Sequence, residues 1–389
     1  MAPDTVLVTG AGGFIGGRLA QRIALGEAYD VRPLLHRFSG PGAMRLARLP
    51  VDIAQGSVTD PSQMAAVMDG CDAVVHCAVG SKDVTISGTE TLLKAAIDAD
   101  VDDFIHLSSA SVHGHDSHGT LREESPKQPD TAYAHWKLTA EERIDELSGD
   151  ADLSPTVFRP FIVYGPGSQF VTEPVETIQA GAVLAGGGSG AMNQIYVDNL
   201  VDAVLLALEN PQSRGETFLL SDNEDLTWRR YYSDLGDLLS DHPPFRDVSR
   251  RSVRLQNSMQ YATDSVVPPF RAIKDIVTSE EVQQTVATEA RQIPWVMGMF
   301  SLLPSTARES LQSHFFDDGA PLLPDETVQE NSHSEATYAV PSQRYAKMHT
   351  SPGRVSNRKV KELLGWEQRI AYPESIDLLD AWISYADVT

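Results

Sequence analysis

Short apolar segments alternate with longer helical patterns through roughly the first 165 residues of the 389-residue chain. The earliest, Thr5–Thr9, is a run of β-branched and apolar residues, which is typical of a strand buried in a parallel sheet. Ile15, Leu19 and Ile23 then recur at every fourth position and would share one face of a helix ending near Leu25. This alternation predicts an α/β fold with a doubly wound parallel sheet.

A glycine-rich turn, Gly10–Gly16, joins this first strand to the first helix. Gly10 allows a tight turn, Gly13 lets the backbone approach a pyrophosphate, and Gly16 lets the helix pack close to the strand. The helix N-terminus offers free N–H groups and a positive dipole end to phosphates. Strand, glycine turn and helix in this order predict a dinucleotide-binding site.

Two aspartates mark expected helix starts. Asp60 precedes Pro61, and proline is favoured in the first helical turn, so Asp60 is predicted to cap a helix there. Asp130 lies three residues before Tyr133, and we expect it to cap the helix that carries this tyrosine.

Tyr133 and Lys137 are four residues apart, so on a helix they share one face. An ammonium group beside a phenol favours the phenolate and lowers the pKa of the tyrosine from its free value of about 10. The pair therefore predicts a proton-transfer site, and the dinucleotide pattern before it strengthens that interpretation.

The chain is strongly acidic, with a net charge of −23 from 54 acidic and 31 basic residues. This charge disfavours nucleic acid and anionic membranes as partners.

The two cysteines, Cys71 and Cys77, offer no disulfide framework and suit a reducing compartment. The first strand begins so close to Met1 that no signal peptide fits, which predicts a cytoplasmic protein. The apolar stretch from Pro294 to Pro304 is too short to span a bilayer, so no membrane span is expected.

In order along the chain, these motifs resemble the extended short-chain dehydrogenase/reductase superfamily, in its NAD(P)-dependent (nucleotide-sugar) epimerase/dehydratase branch. The resemblance covers about residues 1–235 and 350–385. Besides the glycine turn and the Tyr-x-x-x-Lys pair, it rests on VVHCA at 74–78, FIHLSSASVHG at 104–114, RPFIVYGP at 159–166, YVDN at 196–199 and KVKELLGW at 359–366.

The resemblance implies a Rossmann-type NAD(P)-binding domain over residues 1–165. Segments near 191–222 are expected to return to the sheet, at Tyr196 and again at 217–220. Residues 166–389 would form a smaller, mixed substrate-binding region, in which 241–350 is an insertion with an expected helical structure. The expected partners are a small-molecule substrate and, in a homodimer, a second copy of the chain.

The resemblance also implies a set of dinucleotide contacts. At the end of the second strand, His36 and Arg37 replace the acidic residue that NAD-preferring members usually have there. Because Arg37 could pair with the extra phosphate, NADP(H) is favoured, with NAD(H) as the alternative. The implied cofactor contacts are Gly10, Gly13, Phe14, Ile15, Gly16, His36, Arg37, Ser57, Val58, Cys77, Ala78, Leu107, Tyr133, Lys137, Pro160 and Ile162.

Three residues match the family's catalytic positions. Ser109 would hydrogen-bond the substrate oxygen, and Tyr133 would be the general acid for reduction and the general base for oxidation. Lys137 would bind the nicotinamide ribose and lower the pKa of the tyrosine. Where the 4,6-dehydratases have Asp-Glu, this chain has Ala110 and Ser111, which disfavours that chemistry.

Three functions stay open. The first is an NAD(P)-dependent oxidoreductase acting at a secondary alcohol or ketone of a sugar-like, possibly nucleotide-sugar, substrate. The second is an NAD-dependent nucleotide-sugar epimerase, although Ile162 replaces the asparagine that contacts the substrate diphosphate in many relatives. The third is a non-catalytic dinucleotide-binding protein, which the intact Ser109, Tyr133 and Lys137 oppose.

A loop rich in histidine follows the serine and raises the question of a metal site. His113, His115, Asp116 and His118 match no strong ligand spacing, so no metal is expected and the histidines are predicted to line the substrate mouth.

Overall fold

A computed structural model describes residues 4–249 and 343–386, apart from 27, 150, 223 and 224, together with residue 253. Most of the predicted insertion at 241–350 lies outside the described residues, including Pro294–Pro304. Its first residues are described and include a strand, because Arg246–Val248 pairs in parallel with Val183–Ala185. Its last residues include a helix, Gln343–Met348, as expected. The division into domains at about residue 165 stays a prediction.

Seven parallel strands form the central sheet, in the order β11-β7-β5-β4-β1-β2-β3. This is the predicted doubly wound α/β fold. The strands of the described residues are β1 (Thr5–Thr9), β2 (Asp30–Leu35), β3 (Ala54–Gln55), β4 (Ala73–His76), β5 (Asp103–Leu107), β6 (Thr120–Leu121), β7 (Thr156–Pro160), β8 (Ile162–Tyr164), β9 (Val183–Ala185), β10 (Gln194–Tyr196), β11 (Thr217–Leu220), β12 (Arg246–Val248) and β13 (Arg354–Val355).

Helices cover both faces of this sheet, and every residue of β4, β5 and β7 is buried. No helix in the described part of the chain is long and apolar enough to cross a membrane. The helices are α1 (Phe14–Leu25), α2 (Gly40–Leu46), α3 (Pro61–Met68), α4 (Lys82–Thr85), α5 (Ser87–Asp98), α6 (Ala132–Ser148), α7 (Gln169–Gln179), α8 (Val197–Glu209), α9 (Trp228–Asp237), α10 (Gln343–Met348), α11 (Arg358–Leu364) and α12 (Tyr372–Ala386).

The two capping predictions had different outcomes. Asp60 caps α3 as predicted, because its side chain accepts hydrogen bonds from the N–H groups of Ser62 and Gln63. The prediction for Asp130 was wrong: Thr131 is the cap of α6, and its hydroxyl accepts from the N–H of Ala134 at 3.1 Å. The Asp130 carboxylate instead binds side chains outside the helix.

Of the two segments predicted to return to the central sheet, one does so and the other does not. Strand β11 joins the central sheet beside β7, in register from Thr217 opposite Val157. The prediction for Tyr196 was wrong, because β10 pairs with β8 in a separate two-stranded sheet. The chain leaves the central sheet at Phe161, whose N–H donates to Leu220, whereas the next N–H, that of Ile162, donates to Asn193.

The site for a ligand follows from this strand order. Strand β1 lies between β4 and β2, and the chain runs outward from β1 in both directions. In doubly wound sheets, ligands bind at such a switch point, beyond the carboxyl ends of the strands. The glycine turn follows β1 at this edge.

Helix α2 packs directly on the glycine turn through Gly42. A Cβ atom on Gly42 would overlap the backbone oxygen of Gly12. We expect Gly42→Ala to destabilise the protein by about 1–3 kcal/mol, although alanine is the better helix former, because overpacking outweighs propensity. Denaturant unfolding would measure this, with Gly149→Ala as the control, where a Cβ would meet only ordinary contacts. Equal stability of both variants would contradict the close packing.

Candidate functional site

The glycine turn has little room for side chains. Gly10 has φ +66°, and a Cβ there would lie 2.7 Å from the backbone of Cys77 and Ala78 at the end of β4. A Cβ at Gly16 would lie 2.5 Å from the oxygen of Gly10. Strand β1, the end of β4 and helix α1 therefore approach through backbone alone, which leaves the first N–H groups of α1 facing the cleft edge.

A cleft of about 680 Å³ opens at the carboxyl ends of the strands. It brings together the glycine turn and most of the predicted site residues. The predicted residues that line it are Gly10, Gly13, Phe14, Ile15, Gly16, Cys77, Ser109, Tyr133, Pro160 and Ile162. Those that do not are His36, Arg37, Ser57, Val58, Ala78, Leu107 and Lys137.

Ser109 and Tyr133 reach the cleft from different elements. Ser109 follows β5 and starts a 3-10 turn, with its hydroxyl oxygen accepting from the N–H of Ser111 at 3.2 Å. Tyr133 lies in the first turn of α6. Burial raises the pKa of Tyr133, while a hydrogen bond from Ser109 and the charge of Arg344 act to lower it. The phenol of Tyr133 is thus protonated at neutral pH.

Lys137 lies beneath the cleft rather than in it. Its side chain is buried, and Nζ donates to the carbonyl oxygen of Leu107 at 2.6 Å. Burial lowers the pKa of Lys137 to about 8, against smaller opposing effects of Cys77 and Glu141. The groups that act to lower the pKa of Tyr133 are Ser109 and Arg344, and the lowering of this pKa by Lys137 stays a prediction.

A buried ion pair fixes α6 to the sheet below these groups. Arg159 of β7 donates to Glu141 of α6 through Nε at 2.9 Å and Nη2 at 2.6 Å, with both side chains at most 4% exposed. The Ser108 hydroxyl donates to the same carboxylate at 2.5 Å. Burial would raise the pKa of Glu141, but Arg159 and Ser108 hold it below its ordinary value. Glu141 is therefore ionised, and it links the helix to β7 and to the residue that follows β5.

The residues predicted to select the cofactor lie outside the cleft, at the end of β2. His36 and Arg37 are exposed, and Leu35 just before them contacts the glycine turn at Gly12. Farther along, the N–H of Ser57 donates to the Gln63 side chain at 2.8 Å, so this group is already paired. The side chain of Val58 is buried against α5.

Several residues that line the cleft were not predicted as site residues, and two of them come from a distant helix. Arg344 and Met348 of α10 line the cleft, yet they lie within the predicted insertion and more than 200 positions from Tyr133. His115 also lines it, with Nδ1 at 2.5 Å from Asp130. No sequence signal pointed to Arg344, whereas His115 was expected only as a general lining residue.

The histidine-rich loop directs its side chains to different partners. His113 contacts the Pro126 oxygen and Arg159, His115 contacts Asp130, and the exposed His118 lies 4.0 Å from Asp116. Within the described ranges no cluster of three or more histidine, cysteine or acidic residues has the geometry of a metal site. Burial raises the pKa of the Cys77 thiol to about 12, which keeps it protonated.

Comparison with known proteins agrees with this architecture. The model of the family described as "NAD dependent epimerase/dehydratase family" matches residues 6–220. The chain is 26% identical over 256 residues to the UDP-glucose 4-epimerase of Vibrio cholerae, covering 60% of this chain and 75% of that protein. It is 28% identical over 250 residues to the 2-alkyl-3-oxoalkanoate reductase of Stenotrophomonas maltophilia strain K279a, covering 59% and 74%.

Solved structures show the same fold. The UDP-glucuronic acid 4-epimerase of Bacillus cereus, in complex with NAD, superimposes with a TM-score of 0.64 at 16% identity. The match covers 98% of this chain and 96% of that one.

The lowered pKa of Lys137 predicts an effect on stability. Lys137→Met should stabilise the cofactor-free protein by about 2–3 kcal/mol at pH 7, because it removes a buried charge. The unfolded lysine binds its proton more tightly than the folded one, so wild-type stability rises between pH 8 and 10.5. The advantage of the variant should therefore shrink over that range.

Denaturant unfolding at several pH values would measure this difference. Lys94→Met is the control, since Lys94 is half exposed and pairs with Glu90. A Lys137→Met variant that is less stable than wild type at pH 7 would contradict the buried-charge cost.

Proposed function

Because this chain belongs to the NAD-dependent epimerase/dehydratase family, we propose that its cleft transfers hydride at a secondary alcohol or ketone of a small-molecule substrate. The observation that carries the proposal is that the hydroxyls of Ser109 and Tyr133 line the same cleft as the glycine turn. A protein that only binds a dinucleotide has no need of this hydroxyl pair over a buried lysine.

The residues present fit a dinucleotide. At Gly10 and Gly16 an added Cβ would collide with the backbone, so the turn stays free of side chains at the cleft edge. In the described structure, no side chain caps the N-terminus of α1, and its N–H groups are available to phosphate oxygens. When bound, the dinucleotide supplies the acceptor or donor of the hydride.

Three side chains have roles in the proposed reaction besides that of the dinucleotide. In reduction, the Tyr133 hydroxyl donates its proton to the carbonyl oxygen, and in oxidation the tyrosine takes the hydroxyl proton back. The Ser109 hydroxyl donates a hydrogen bond to the same oxygen and holds the carbonyl in place. Lys137, one helical turn from Tyr133, supplies positive charge that favours the phenolate when the tyrosine has lost its proton.

Arg37 supports a preference for NADP(H). The end of β2 contacts the glycine turn through Leu35. The exposed His36 and Arg37 therefore lie at the edge where the protein would contact the ribose of the adenosine half of a dinucleotide. Neither residue is a carboxylate, and a guanidinium can bind a phosphate with two hydrogen bonds. NAD(H) is the alternative, because the family and its structural neighbours use it.

Two substrate classes remain, each with its own support. A sugar-like or nucleotide-sugar substrate, and with it an epimerase, is supported by the similarity to the UDP-glucose 4-epimerase. A ketone with apolar chains is supported by the relative named as a 2-alkyl-3-oxoalkanoate reductase, whose name combines alkyl chains with a keto acid. The cleft walls support it too, because Phe161, Ile162, Val163, Phe170 and Met348 offer no hydrogen-bonding side chains. We favour net reduction or oxidation, because Ile162 cannot donate a hydrogen bond to a diphosphate.

The homodimer and the cytoplasmic location stay predictions of the sequence. Sedimentation velocity of the purified chain would test the first, and microscopy of a tagged chain in its host would test the second.

The role of Tyr133 gives a direct test. Tyr133→Phe should reduce ketone reduction by about 100-fold or more, because the general acid is lost. Dinucleotide affinity, measured by fluorescence titration, should change little. Tyr29→Phe is the control, since Tyr29 hydrogen-bonds Glu209 away from the cleft. Undiminished turnover in Tyr133→Phe would show that another group supplies the proton.

The proposed role of Arg37 predicts a change in cofactor preference. Arg37→Asp should weaken NADPH binding by about 10- to 100-fold, since a charge-assisted contact is replaced by repulsion, while NADH binding holds or improves. Titration of both dinucleotides into the emptied protein would measure this. Arg48→Asp, an exposed change of equal charge beyond α2, should alter neither. Equal effects of Arg37→Asp on both dinucleotides would contradict phosphate recognition.

A further inference from the structure

A second acid–base pair lies in the same cleft as Tyr133. His115 lines the cleft, and its side chain is only 7% exposed. Its Nδ1 lies 2.5 Å from Asp130, just before the helix that carries the tyrosine. Among the described residues, Nε2 of His115 has no hydrogen-bond partner, so it is the ring nitrogen available to a bound molecule.

Asp130 is itself held in place. Lys347 of α10 donates to its second oxygen at 2.6 Å, so the carboxylate has a partner on each oxygen. Lys347 and the hydrogen bond of His115 keep the pKa of Asp130 below its ordinary value although burial opposes this. An ionised carboxylate on Nδ1 fixes the tautomer with a proton on Nδ1 and a lone pair on Nε2.

The imidazole is neutral at pH 7. Burial lowers the pKa of His115, Asp130 acts to raise it, and the charges of Arg344 and Lys347 lower it further. A neutral imidazole with a bare Nε2 and a carboxylate behind it is the arrangement of a general base.

We propose that His115, positioned by Asp130, is a second catalytic base that removes a proton from the carbon next to the substrate carbonyl. This inference rests on the proposed function, because it requires a ketone held by Ser109 and Tyr133. It adds an activity that hydride transfer does not need: enolisation, and with it proton exchange at the neighbouring carbon.

The step needs no further reactant. The C–H bond next to the carbonyl breaks, and its proton forms a bond with Nε2 of His115. The C–H electron pair becomes the new C=C bond, while the carbonyl π pair moves onto the oxygen that Ser109 and Tyr133 hydrogen-bond. Return of a proton from His115 to the same carbon restores the ketone.

A purely structural role for His115 predicts a different response to substitution. His115 also connects its loop to Asp130 and, through Lys347, to α10. In His115→Asn the side-chain amide can keep the hydrogen bond to Asp130 but has no group in the place of Nε2. The variant therefore separates the two roles: it preserves the connection and removes the base.

The experiment uses the full chain, saturated with NAD+ or NADP+, and cyclohexanone as the probe in D2O. Without a hydride donor no reduction occurs, and loss of the ring protons next to the carbonyl is followed by proton NMR. We expect exchange above the protein-free rate and a fall of about 100-fold in His115→Asn. Dinucleotide binding by His115→Asn, followed by fluorescence titration, should match that of wild type and shows that the variant is folded.

His118→Asn is the matched control, since it alters an exposed histidine of the same loop and should leave exchange unchanged. Nitrogen NMR of the wild-type imidazoles provides a second measurement and should show the proton of His115 on Nδ1. Exchange that is no faster than without protein, exchange that survives in His115→Asn, or a proton on Nε2 would each overturn the inference.

The two proposals fail in different ways. If cyclohexanone is reduced but its ring protons do not exchange, His115 is not a base and hydride transfer stands. If exchange depends on His115 but no dinucleotide binds and no ketone is reduced, the base stands and the proposed hydride transfer fails.

Discussion

The geometry of the cleft depends on the buried ion pair between Arg159 and Glu141. Glu141 lies two helical turns after Tyr133 on the same face of α6, and Arg159 lies in the strand beside the one that precedes Ser109. Because Ser108 donates to the same carboxylate, one ionised group sets the distance between the tyrosine helix and the serine turn. Removing one partner of such a pair leaves an unpaired buried charge, at a cost of about 3–5 kcal/mol.

Near this pair, burial keeps two histidines and a cysteine uncharged. Burial lowers the pKa of His76 to about 3 and lowers that of His106 well below its ordinary value, while the Cys77 thiol stays protonated. Lys137 keeps its positive charge near neutral pH although burial disfavours it, with Nζ donating to the backbone carbonyl of Leu107. The protein thus bears a cost in stability at the position where a negative phenolate would form, which is a common compromise at active sites.

The features that the sequence predicted correctly are those that local chemistry determines. The run Thr5–Thr9, the glycine turn and the Asp60 cap each need only a few neighbouring residues. The failed predictions involve partners far along the chain. Asp130 was expected to cap a helix, but Lys347 and His115 compete for its carboxylate, and neither partner is near enough in sequence to be noticed. Tyr196 was placed in the central sheet because no local signal shows that the chain leaves it at Phe161.

The two sides of the cleft differ in the same respect: one is formed by neighbouring residues, and the other by segments that are far apart in the sequence. The side proposed to bind the dinucleotide is built from the backbone of Gly10–Gly16 and from the start of helix α1. The opposite side consists of apolar side chains after β7 and of Arg344 and Met348 from α10. Substitutions on this second side can change what binds without disturbing the glycine turn or the Glu141–Arg159 pair. Since the positive charge of Arg344 acts on both Tyr133 and His115, an anionic group bound there would raise the proton affinity of both residues at once. In the roles proposed for Tyr133 and His115, a substrate with such a group would therefore make both residues stronger bases.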